Sequence, residues 1–154
     1  MNRSAIRELT FKVLYSQEIQ EKYDEEQIDL YFESNDIQNE TVKEYVKLVS
    51  KELKENEEDI ISIISSKLTE RWNIERISKV DLTLLKLAIY EIKYKNIPYK
   101  VEINEVVELA KKYAEETSPS FINGILASFV NEMENKKYDV WGYFCKWFEW
   151  VYKK

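Results

Sequence analysis

Histidine is absent from the 154 residues, and cysteine occurs once, as Cys145. Without imidazole or a cysteine pair, an internal disulfide, a zinc clip and a histidine general base are excluded by inventory. Glycine and proline occur twice each. An all-β chain with its many turns needs more of both, and two glycines cannot make a glycine-rich phosphate loop. No apolar run is long enough to span a bilayer, and Arg3, Arg7, Glu8 and Lys12 interrupt the start. Neither a membrane span nor a signal peptide is expected. We therefore expect a soluble cytoplasmic protein, without cofactor or metal, and no enzyme, since no nucleophile is placed beside a base.

What the chain does have is Lys, Glu, Ile and Leu in helical phase. The expected class is all-α, in one domain large enough for a real core. The net charge of −6 argues against broad nucleic-acid affinity. Phosphate binding needs only a local basic patch, and the charge is unevenly spread. Residues 1–17 hold Arg3, Arg7 and Lys12 against Glu8, whereas 18–40 hold nine acids against Lys22. Those acids read as a solvated face, with nothing to place two of them as an acid–base pair.

The stretch from Ser78 to Phe129 organises the rest. A helix over about Ser78 to Tyr94 is apolar nearly all round, through Leu82, Leu84, Leu85, Leu87 and Ile89, and should be buried on several sides. Pro98 turns the chain. A second helix, about Glu102 to Glu115, sets Ile103, Val106, Val107 and Ala110 on one face. Thr117 to Ser120 make a break, after which Phe121, Ile122, Ile125, Leu126, Phe129 and Val130 continue in helical phase. That phase runs through Asn123-Gly124, so helix is preferred to turn there, and Gly124 is expected to mark a close approach to another backbone.

Before this unit, residues 3–20 form a first helix with Ile6, Leu9, Val13 and Leu14 on its buried face. Arg3 and Arg7 share another side, continued by Phe11 and Tyr15. Arginine forks beside aromatic rings suit single-stranded RNA, but on spacing alone solvated arginines and core aromatics fit the pattern better. A short helix around Ile28 to Phe32, one over Thr41–Leu53, and one from about Ile60 ending near Trp72 complete this half. The expected architecture is two small three-helix bundles sharing one core, about seven helices in all. Subdomains over about 1–70 and 77–136 meet at a boundary near 70–76. Residues 137–154 form an aromatic extension: 138–152 carry eight of the 21 aromatics, including three of the four tryptophans. Self-packing, a dimer contact, and a surface for a membrane or nucleic acid all remain open for it.

Several blocks are specific in their order and spacing: RSAIRELTFKVLYS at the start, Trp72…Arg76…Asp81, LLKLAIYEI at 84–92, IPYKVEINEVVELAKKY at 97–113 and SFINGILASF at 120–129. They cover roughly Arg3 to Val130, and on them the chain resembles the NusB family of bacterial transcription antitermination factors. The resemblance implies a non-enzymatic, all-helical protein that binds the boxA element of ribosomal RNA transcripts. It would do so with NusE, a small-subunit ribosomal protein, within the RNA polymerase antitermination complex. Carried over by position, it implies RNA contacts at Arg3, Arg7 and Tyr15, at Asp81 and Lys86, and at Thr117 and Phe121. The basic run of the first helix is thinner than in many members, with Ser4 and Ala5 where arginines are common, so dependence on the partner should be greater. Position 117 is a threonine where relatives carry an acid. The alternative reading is a self-associating or protein-interaction module with a weakened RNA face, and a homodimer goes with it.

Overall fold

The computed structural model describes residues 1–69 and 73–152, with side chains through 135. The fourth helix ends at Ser66 rather than near Trp72, and the side chains of the aromatic stretch 138–152 lie outside the described residues. Seven α-helices are present among them: α1 (Arg3–Gln20), α2 (Glu25–Ser34), α3 (Glu40–Glu55), α4 (Glu57–Ser66), α5 (Lys79–Tyr94), α6 (Tyr99–Tyr113) and α7 (Ser118–Tyr152). A 3₁₀ turn over Ile74–Arg76 precedes α5.

The helix starts follow local chemistry. Asn2 accepts from the Ala5 amide, Asp24 from Glu26 and Gln27, Asn39 from Val42 and Ser78 from Asp81, so each short polar side chain satisfies an amide that lacks a helical partner. The chain leaves α1 through Glu21 and α5 through Asn96, both at positive φ. The second helix of the central unit begins earlier than its apolar pattern suggests. Pro98 occupies its N-cap and α6 runs from Tyr99, because proline's fixed φ and missing donor suit a helix start.

Helix α5 is the axle. Every residue from Asp81 to Ile92 is buried, and α1, α4, α6 and α7 all pack on it. The larger core cluster unites Phe11, Leu14, Val49, Leu53, Ile60 and Ile64 from the first half with Leu84, Leu85, Leu87, Ile89, Val106, Ile122, Leu126 and Phe129 from the second. A smaller cluster joins α1, α2 and α3 through Leu9, Val13, Ile28, Phe32, Val42 and Val46. Helix α1 therefore serves both clusters.

Two expectations are corrected. Gly124 approaches no backbone: a Cβ built there would meet nothing within 4 Å, and the position is exposed. The face of α6 that is buried holds Glu102, Val106, Leu109 and Ala110, while Ile103 and Val107 are only half-buried. The face turns because a carboxylate at Glu102 is drawn inward by Arg7. The backbone of α7 runs as one helix of 35 residues.

Candidate nucleic-acid interface

Helix α1 presents two kinds of surface. On its inner side the Arg7 guanidinium is 9% exposed and lies 3.2 Å from Glu91, 3.3 Å from Glu102 and 3.7 Å from Glu105. Burial alone would lower the Arg7 pKa, but Glu102, Glu91 and Glu105 outweigh it and hold it above its ordinary value. Three carboxylates around one cation cannot all ionise without cost. Glu102 is fully buried, and burial, followed by the charge of Glu91, pushes its pKa up to about 9. A protonated Glu102 can then donate to Glu91, which lets two buried carboxyls share the site.

On its outer side α1 meets the end of α6 and the start of α5. Phe11, Lys12, Tyr15, Ser16, Ile19, Tyr31, Val80 and Tyr113 line an open, mainly apolar groove of about 490 Å³. The Phe11 ring stacks on Tyr15 at 6.1 Å and lies 5.3 Å from Tyr113. Lys12 and Lys112 place their ammonium groups 5.7 Å and 5.3 Å from the Tyr113 ring centre. Glu8 anchors this edge, accepting from Lys112 at 2.6 Å and from the Tyr113 hydroxyl. The Lys112 and Tyr113 hydrogen bonds hold the Glu8 pKa below its ordinary value.

Next to the groove, Asp81 locks two helix starts together. The Ser118 hydroxyl donates to its carboxylate at 3.0 Å, and the Asp81 amide donates to Ser78 Oγ at 3.1 Å. Burial pushes the Asp81 pKa up, against the pull of those hydrogen bonds. The clasp fixes the first turn of α7, which carries exposed Thr117 before it and half-buried Phe121 within it.

The implied RNA residues thus divide. Tyr15, Asp81, Thr117 and Phe121 gather around the start of α5, and Arg3 is exposed at the first position of α1. Two come out differently. Arg7 is taken up by buried carboxylates, and Lys86 is 3% exposed, bonded to Glu18 at 2.7 Å and Glu57 at 3.3 Å on the other flank of α5. Both charges are held by carboxylates within the chain. Sequence reading missed Lys12, Lys112 and Tyr113 as groove residues. The KKY run closing α6 was the available signal, but its proximity to α1 across about a hundred positions exists only in the fold.

Fold and surface together define an all-helical protein with a ring-lined, mainly apolar groove edged by Lys12 and Lys112. A family model described as NusB family matches residues 4–131. The transcription antitermination protein NusB of Acetivibrio thermocellus is 48% identical over 131 residues, covering 84% of this chain and 89% of its own. That of Clostridium acetobutylicum is 42% identical over 137 residues, covering 88% and 100%. Among solved structures, T. maritima NusB superposes with a TM-score of 0.76 at 34% identity, covering 86% of this chain and 92% of its own. A crystal structure of antitermination factors NusB and NusE in complex with dsRNA gives 0.75 at 27% identity, covering 84% and 96%. The chain belongs to the NusB family.

Proposed function

We propose that this chain is a non-enzymatic RNA-binding antitermination factor, which with NusE takes boxA-type single-stranded RNA of ribosomal transcripts to the elongating RNA polymerase in the cytoplasm. The observation that carries the reading is the groove of Tyr15 and Tyr113 edged by Lys12 and Lys112. Rings there offer stacking faces to unpaired bases, and the ammonium groups meet the backbone. Arg3 and Thr117 extend the contact along α1 and onto the start of α7, which Asp81 holds against α5. Arg7 and Lys86 support the surface from inside by fixing α1 against α5 and α6. Residues 1–136 make up the binding unit, with subdomains over about 1–70 and 77–136.

Titration of labelled boxA RNA with and without NusE, across a salt series, tests the reading. Binding should need or strongly favour NusE and weaken with salt, the logarithmic slope changing by roughly 0.7 for each phosphate contact removed. Absence of RNA retention at low salt with NusE present would sink it. The withdrawal of Arg7 also favours a second reading, a self-associating module with a weakened RNA face. Sedimentation of the RNA-free protein separates the two, since a stable homodimer that releases no subunit on adding RNA and NusE supports the second.

A further inference from the structure

Residues 136–152 form the second half of α7. At 1.5 Å per residue its 35 residues span about 52 Å. Its packing partners α5 and α6, with 16 and 15 residues, reach only about 24 Å each. They can cover roughly half of α7. The family match stops at residue 131, so the second half is not absorbed by the function above.

The register of that half is ordered. With 3.6 residues per turn, Asp139, Gly142, Lys146 and Glu149 fall in an arc of about 80°. Val140, Phe144, Phe148 and Val151 occupy the centre of the opposite side. Trp141, Tyr143, Trp147, Trp150 and Tyr152 take the positions between the two. This order, aliphatic and Phe at the middle with Trp and Tyr at the border of a polar stripe, is that of a helix lying in a membrane–water interface. Composition separates it from a helix–helix seam. Residues 138–152 contain neither Leu nor Ile, the residues that fill coiled-coil seams, although both are abundant elsewhere in the chain. Charge points the same way. Residues 136–154 carry five lysines against two acids, while residues 1–135 carry 18 bases against 27 acids. Lysine pairs at 136–137 and 153–154 bracket the aromatic run, suited to anionic headgroups. Among the described residues no helix is long and apolar enough to cross a membrane, so the contact is with a surface.

We propose that the second half of α7 is an interfacial helix that docks the protein on anionic phospholipid surfaces. The inference is independent of the RNA reading. Its test is flotation of the full chain with vesicles of phosphatidylcholine plus phosphatidylglycerol, and with phosphatidylcholine alone, at low and high salt. The protein should float with the anionic vesicles, less so at high salt, and its tryptophan emission should shift to the blue. The variant Phe144→Asp/Phe148→Asp should partition at least roughly tenfold more weakly, whereas Glu149→Gln should bind as well or better. A thermal melt matching wild type shows that the double variant is folded. Protein that stays in the soluble fraction with every vesicle overturns the proposal. So does a dimer that the double variant dissociates without any vesicle binding, which assigns the face to a second copy. Loss of boxA RNA binding in that variant, with vesicle binding unchanged, assigns it to RNA.

Discussion

The two sides of α1 treat similar residues in opposite ways. Arg7 and Lys12 are both long cations on one helix, five positions apart. Arg7 points between α5 and α6 and is neutralised by Glu91, Glu102 and Glu105, while Lys12 is exposed beside Tyr15 and Tyr113. A buried cation has no solvent to fall back on, so removing it leaves its partners charged and dry. An exposed cation has water as an alternative partner, and its loss disturbs the fold little. The lesson is that the stability of this domain and its candidate recognition surface are carried by neighbouring positions of the same eighteen-residue helix, told apart by burial.

Arg7→Ala should make the sharpest break. It leaves the buried Glu91 carboxylate without its cation and should cost about 3–5 kcal/mol, read from denaturant unfolding. Any loss of RNA binding should then track the unfolded fraction. Full stability with lost RNA binding would reverse the division between the two faces.

Tyr15→Ala should do the converse. Removing a stacking ring from the groove should weaken RNA binding by about 1–3 kcal/mol, and Lys12→Ala should flatten the salt slope further. Both proteins should unfold close to wild type. An unchanged RNA affinity in the pair would move the RNA surface away from this groove.

Glu102→Gln probes the inner face by pH. Because the folded pKa of Glu102 is raised to about 9 from 4.5, the native state holds a proton that the unfolded state has released between those values. With more protons bound in the native state, stability falls as pH rises through that window and is flat beyond it. Glutamine keeps the donor and removes the titration. The variant's stability relative to wild type should therefore rise steadily from about pH 4.5 to about pH 9. A constant difference would mean that Glu102 is ionised throughout.

The smallest effect is on exposed backbone away from both faces. Gly124→Ala puts a methyl group into open space inside a helix and should stabilise by about 0.5–1 kcal/mol, seen as a small rise in melting temperature. Destabilisation would show that the position touches a partner.

The helices were legible because their signals are local. Apolar spacing located α1, α3, α4, α5 and the first half of α7. Asn2, Asp24, Asn39 and Ser78 sit where a side-chain oxygen satisfies an orphan amide, and Pro98 and Pro119 punctuate the chain. The candidate site was legible in part. Arg3, Tyr15, Thr117 and Phe121 came from motif resemblance and lie on accessible or half-buried surface. Arg7 and Lys86 read the same in sequence, yet both are buried against carboxylates that lie 29 to 98 positions away. Periodicity also gave α6 a face of Ile103 and Val107, because a pattern of apolar residues cannot foresee that a buried arginine makes Glu102 an inward position.

By itself, then, the sequence determined the helical class, the order of the elements, the burial of α5 and the family, each a matter of residues close together along the chain. Only the tertiary structure decided which cations are neutralised, that the end of α6 completes a groove with α1, and that Asp81 clasps Ser118. Those outcomes depend on contacts between distant segments, and the Coulomb and desolvation energies that sort buried from free charges exist only once packing has excluded water.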